Sequence, residues 1–159
     1  MRRALTAMAL AAALAGGCAD EPQRTVEEDR LTREAYVREA DAICVEYDRR
    51  LDALPEPEDV RDVATLAEEA FPIAQEGIAK LRELRPPEEL EPQVEAWLRA
   101  NDQNARNIHR LQEAAERNDA RRVQEIASEA ADNERRADEL AKGIGLGECA
   151  EAEESRERR

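Results

Sequence analysis

The sequence predicts an all-α protein: an up-down-up-down antiparallel four-helix bundle closed by a disulfide. Three observations predict it. Apolar residues recur at steps of three or four along four successive stretches, and no stretch alternates like a strand. Short breaks containing proline or asparagine separate the stretches, and short connections make consecutive helices antiparallel neighbours. Two cysteines, Cys44 and Cys149, stand near the two ends of the set.

The first helix carries Tyr36, Ala40, Ile43, Tyr47, Leu51 and Leu54 on one stripe. Thr32 suits its N-cap, and Pro55 and Pro57 end it. The second carries Val60, Val63, Ala67, Ala70, Ala74, Ile78, Leu81 and Leu84, and stops at Pro86-Pro87. Pro72 lies inside it and should kink it, because the missing N–H frees the carbonyl of Glu68. The third carries Val94, Trp97, Leu98, Ala105, Ile108, Leu111 and Ala115. Asn118 then suits a left-handed cap and Asp119 an N-cap. The fourth carries Val123, Ile126, Ala127, Ala130, Ala137, Leu140 and Ala141, with Gly143 as the expected C-cap. Alanine fills many inward positions, which lets helices approach closely.

Ahead of this body lies a different kind of segment. Arg2 and Arg3 precede an apolar run from Ala4 to Ala15, followed by Gly16-Gly17-Cys18. A basic start, a short apolar core and small residues make a bacterial secretory signal. The run is too short for a membrane-spanning helix, which needs about 20 residues. The ending Leu14-Ala15-Gly16-Gly17-Cys18 resembles the lipobox of bacterial lipoproteins, with alanine where leucine is commoner, three residues before the cysteine. The resemblance implies a lipid on the Cys18 thiol and cleavage just before it. The alternative is an ordinary cleaved signal with an incidental cysteine. The expected organisation is a signal peptide over 1–17, an acidic tether over 18–31, a bundle domain over 32–149 and a polar tail over 150–159.

Without residues 1–17 the 159-residue chain keeps 142 residues, enough for one domain with a sizeable core. Losing Arg2 and Arg3 moves the net charge from −14 to −16. Such a charge disfavours nucleic acid, whose phosphates it repels. It also disfavours anionic lipid, so the Cys18 lipid is the expected membrane attachment. One acyl chain anchors only marginally, and two anchor stably.

In an exported chain the remaining cysteines read as a Cys44–Cys149 disulfide, the alternative being two separate thiols. Cys44 lies about ten residues, or roughly 15 Å, before the end of helix one. Helix four climbs roughly 34 Å from that end, leaving about 19 Å to recover. The six residues from Gly143 to Glu148 can stretch about 20 Å. The segment Gly143-Ile144-Gly145-Leu146-Gly147 must therefore fold back toward Cys44, with Ile144 and Leu146 covering the end of the core.

Glu34-Ala35-Tyr36-Val37, then Ala40-Asp41-Ala42-Ile43-Cys44, resembles the first helix of small helical lipoproteins common in actinobacteria. The Pro86-Pro87 break, the Ala96-Trp97-Leu98 run and the Leu146 to Cys149 ending are similar too. The resemblance spans about residues 34–149. It implies the helical fold and the disulfide. Proteins of this layout are generally of unknown function, so it implies no activity.

The chemistry-bearing residues are few. After residue 17 the only serines are Ser128 and Ser155, and the only histidine is His109. Ser128 sits mid-helix, in no nucleophile-elbow context. Ferritin-like metal sites need two Glu-x-x-His motifs, but Arg106 stands three residues before His109 and there is no second histidine. A haem-attachment Cys-x-x-Cys-His is absent. The acidic groups Glu56-Glu58-Asp59 and Glu88-Glu89-Glu91 read as helix starts favoured by the dipole. No catalytic residue, metal site or cofactor is expected.

One constellation is less routine. Asn101 and Asn104 fall on the third stripe and Asn133 on the fourth. Pairing the helices about their turns sets Asn104 level with Asn133 and near Phe71 and Pro72. These asparagines either form a polar layer that fixes helix register or line a notch for a small ligand. The expected function is thus a lipid-anchored extracytoplasmic lipoprotein, a non-enzymatic binding or scaffolding module at the cell envelope. Its partner would be an envelope protein or a small ligand. The alternative is a small-ligand-binding or sensing bundle that uses the notch.

Overall fold

The computed structural model describes residues 30–150. They are all-helical, with no strand among the described residues. The main helices are α1 (Arg33–Asp52), α2 (Val60–Glu83), α3 (Glu91–Glu116) and α4 (Ala120–Ile144), with a short last turn, α5 (Gly147–Ala150). A 3-10 turn, Glu88–Leu90, leads into α3. Cys18 and the signal and tether residues up to 29 lie outside the described residues, as does the tail from 151.

Local chemistry sets the helix ends. The Thr32 hydroxyl accepts from the Ala35 N–H at 3.2 Å and caps α1. Asp59 and Asp62 form a reciprocal box at the start of α2. Asp59 Oδ1 accepts from the N–H groups of Arg61 and Asp62, and Asp62 Oδ2 accepts from that of Asp59. These bonds hold the Asp59 carboxyl below its ordinary pKa. A depressed carboxylate stabilises the fold above its unfolded pKa of about 4, and the stability is lost as pH falls through the lower folded value. Asp59→Asn is therefore expected to flatten the loss of melting temperature between pH 5 and pH 2. An unchanged acid limb would show that the cap contributes nothing to it.

Pro72 lies inside α2 on its exposed side, and the helix runs unbroken from Val60 to Glu83. Proline therefore does not split it. Between α3 and α4, Asn118 takes the left-handed conformation at φ 55°. Asp119 caps α4 by accepting from the Arg122 N–H at 3.0 Å.

The end of α4 differs from expectation. Gly143 is not the C-cap; the helix runs on to Ile144, and Gly145 makes the left-handed turn at φ 98°. The Leu146 N–H reaches back to the Ala141 carbonyl at 2.9 Å and the Gly145 N–H to the Lys142 carbonyl at 3.1 Å. This is the Schellman arrangement, and it fails without a residue tolerant of positive φ. The two extra helical residues let Ile144 and Leu146 both become fully buried. The chain then returns as the helical turn α5, not as a stretched strand. Asp41 of α1 accepts from the Glu148 and Cys149 N–H groups at 3.1 and 3.4 Å and caps that turn. Cys44 and Cys149 are bridged, with their Cα atoms 5.2 Å apart.

Helix α2 packs along α3, and α3 along α4, while α1 packs on α2 and α5. Sitting between two neighbours, α3 buries a wider face than one stripe. Ala100, Asn107 and Ala114 are buried there, at steps of seven, beside the expected Val94, Trp97, Ala105 and Ala115. Ile108 is only partly buried, and on α4 Ala127 is exposed although its spacing placed it inward. Arg30 and Leu31 are tied to the α2–α3 connection. Leu31 donates to the Arg85 carbonyl at 2.9 Å, and Arg30 pairs with Glu91 at 3.1 Å.

Tyr36 stands in the core cluster with Leu90, Trp97, Ala141, Ile144 and Leu146. It is fully buried, and its hydroxyl has no partner among the described residues. Burial pushes its pKa up to about 12. The neutral phenol is favoured in the fold, so stability is full below pH 10 and lost as pH rises from 10 through about 12. Leaving a buried hydroxyl unsatisfied costs about 1–3 kcal/mol. Tyr36→Phe is expected to raise stability within that range and to weaken alkaline unfolding. A less stable phenylalanine variant in urea melts would overturn this.

Candidate ligand-binding cleft

Because α1 leans on α2 and α5, its backbone stays apart from α3 and α4. The wedge left between them is a half-open cleft of about 280 Å³. Its volume falls just below the usual ~300–1,000 Å³ for small-molecule sites. All four long helices contribute. Ile43, Tyr47 and Leu51 come from α1, Gly77, Ile78 and Leu81 from α2, Trp97, Asn101 and Asn104 from α3, and Ala130, Glu134 and Asp138 from α4. The disulfide lies in the wall through Cys44 and Cys149.

The Tyr47 wall is held by tight packing and polar contacts. A methyl group on Gly77 would stand 3.0 Å from Tyr47 Cγ, so glycine is what lets the ring lie against α2. Glu76 pairs with Arg50 at 2.9 Å. Arg50 also lies over the Tyr47 ring, 4.7 Å from its centre. The Arg50 guanidinium, with help from Tyr47, holds the Glu76 carboxyl below its usual range. Burial and Glu76 together push the Tyr47 phenol up. Arg110 pairs with Glu129 at 2.7 Å and bridges α3 to α4.

The structure brings Asn104 and Asn133 together, as their register suggests. Asn133 Nδ2 donates to Asn104 Oδ1 at 2.5 Å and to the Ala100 carbonyl at 2.8 Å. Asn101 Nδ2 donates to the Trp97 carbonyl at 3.0 Å, one turn back on its own helix. Asn101 and Asn104 line the cleft, whereas Asn133 does not border it and braces Asn104 instead. The notch is not beside Pro72. Phe71 and Pro72 border a second, more open depression of about 600 Å³ with Arg82, Asp102 and Arg106, which shares Ile78 and Ala105 with the cleft. The asparagine that sequence reasoning missed is Asn107, 1 % exposed, whose Oδ1 accepts from Gln103 and Arg110 at 3.0 Å each. Both donors lie within one turn on α3, so no long-range pattern marks it.

The remaining candidates lie elsewhere. His109 is exposed, with its ring centre 5.5 Å from that of Phe71 and Nδ1 3.6 Å from Glu113. Ser128 is exposed on α4. No cluster of three metal-type ligands lies among the described residues. No family model, curated protein or solved structure matches this chain.

Proposed function

We propose that this protein is a non-enzymatic binding module, held outside the cytoplasm by a lipid on Cys18, which takes a small molecule into its central cleft. The observation that carries the reading is the cleft itself. It is walled by apolar and aromatic side chains with a few amide and carboxylate groups among them, the usual make-up of a small-molecule site. Its lining holds no serine or histidine, and its two cysteines are joined to each other, so it offers no activated nucleophile of the usual kind. The fold we propose is the up-down-up-down antiparallel bundle. Support comes from the pairs Arg50–Glu76, Arg82–Asp102 and Arg110–Glu129, together with the tie from Arg33 to the Ile144 carbonyl at 2.9 Å.

A ligand-binding reading is favoured over scaffolding because Val45 is the one large hydrophobic side chain exposed among the described residues. That leaves no apolar patch for a tight protein partner. The net charge of −14 likewise disfavours nucleic acid. No helix among the described residues is long and apolar enough to cross a membrane, so attachment in this reading rests on Cys18.

Trp97 is the only tryptophan in the chain and lines the cleft, so its fluorescence reports directly on occupancy. Titration with a panel of small metabolites is expected to give a saturable fluorescence change and a melting shift. Asn104→Ala should weaken both. A silent panel, or a response untouched by the variant, would reject the cleft as the site. For the anchor, labelled palmitate is expected to enter the wild-type chain and not Cys18→Ala; equal labelling would reject it.

A further inference from the structure

Trp97, Asn104 and Asn107 stand along α3, and all three line the cleft. Their hydrogen bonds use some groups and leave others over. Asn104 Oδ1 accepts from Asn133, and Asn107 Oδ1 accepts from Gln103 and Arg110. Neither Nδ2 group has a partner among the described residues, and nor has the indole N–H of Trp97. Asn107 is only 1 % exposed and Trp97 2 %. An N–H on so buried a side chain usually finds an acceptor. These N–H groups are not sealed in, however. The Tyr36 hydroxyl is the one fully enclosed polar side-chain atom without a partner among the described residues. The unpaired N–H groups of two buried residues therefore open onto a space, and the space that both residues line is the cleft. Asp48, Glu134 and Asp138 line it too, but each already has an interaction within the protein, and a carboxylate offers only acceptors.

The free donors call for an acceptor. A hydrocarbon offers none. A carboxylate offers two, but no lysine, arginine or histidine lines the cleft to take its charge, and the net charge of −14 opposes its approach. A neutral carbonyl accepts without bringing a charge. Asn104 and Asn107 are three residues apart, hence neighbours on the helix surface, so both amides can converge on one oxygen. An apolar body would then lie against Tyr47, Leu81 and Ile108. We propose that the cleft selects a small neutral carbonyl compound with an apolar body, its oxygen held by the amide N–H groups of Asn104 and Asn107. The indole N–H of Trp97, two turns or about 10 Å along α3, supplies a place for a second acceptor. This rests on the reading of the cleft as a small-molecule site and names the class of molecule it takes.

The test uses the full-length oxidised chain and three probes of nearly equal shape. They are the ketone 4-phenylbutan-2-one, anionic 3-phenylpropanoate and the hydrocarbon butylbenzene. Each is titrated against Trp97 fluorescence and followed by thermal melting. The ketone is expected to bind at least tenfold more tightly than the carboxylate. The variant Asn104→Asp/Asn107→Asp keeps the oxygens that serve Asn133, Gln103 and Arg110 and removes both free amide donors. It should weaken the ketone at least tenfold and leave butylbenzene within twofold. A control with the same charge change at exposed positions, Gln93→Glu/Gln124→Glu, should bind the ketone as the wild type does. Equal losses of ketone and hydrocarbon in the variant, or no loss of either, would overturn the carbonyl selectivity and leave the cleft as a site. Carboxylate binding as tight as that of the ketone would overturn it as well. Loss of ketone binding in the control would assign the effect to overall charge and overturn the proposal too. Failure of all three probes would overturn both the selectivity and the cleft reading. Should the double variant melt before titration, Asn104→Asp and Asn107→Asp alone are each expected to give a partial loss for the ketone, and no loss in either sinks the proposal.

Discussion

Removing the Cys44–Cys149 bridge is expected to lower folding stability by about 4–5 kcal/mol. The bridge spans 105 residues, and the freedom it removes from the unfolded chain grows with the length of the loop it closes. Small domains are stable by only about 5–15 kcal/mol, so this is a large share of the whole. The native geometry needs no rearrangement to hold the two cysteines together. Asp41 already caps the turn that carries Cys149, and Leu146 is fully buried just before it. Guanidinium melts of the oxidised chain and of Cys44→Ser/Cys149→Ser check this. A midpoint that does not move would show that the returning segment is held by its packing and caps alone.

Trp97→Ala is expected to cost about 3–5 kcal/mol. Trp97 is 2 % exposed and packs in the same cluster as Tyr36, Leu81, Ala100 and Ala137. Truncation removes its transfer free energy and leaves a void beside an existing cleft, into which the neighbours can relax only in part. The helical signal in circular dichroism should melt at a markedly lower temperature. A loss below about 1 kcal/mol would mean the site collapses freely, which a close-packed core does not allow.

Much of the fold was legible because helices are written locally. Thr32, Asp119 and Asn118 each announce an end through chemistry that acts within four residues. The stripe of α2 was readable from Val63 to Leu81 because one side of that helix faces the protein. Reading failed where the decision belonged to the tertiary structure. Gly143 and Gly145 are equivalent to a local rule, and burial of Ile144 and Leu146 chooses between them. The width of the buried face of α3 depends on its having two neighbours, which one periodic stripe does not convey. The asparagine pair was legible as a register match, since Asn104 lies as far before Asn118 as Asn133 lies after Asp119. The cleft was not. Asp48, Glu134 and Asp138 look in sequence like ordinary solvated helix charges. Only the gap left by α1 gathers them around a shared space.

The disulfide has one more consequence, for cleavage of the chain. It closes a covalent ring from residue 44 to residue 149. Every connection between the long helices, at 53–59, 84–90 and 117–119, lies within that ring. Exposed connections are where proteases cut first. A single cut at any of them opens the ring and severs nothing from it. Both pieces stay joined through sulfur, and α1 stays joined to both. Nicked protein would therefore run as one species until a reductant is added, and only then part into two.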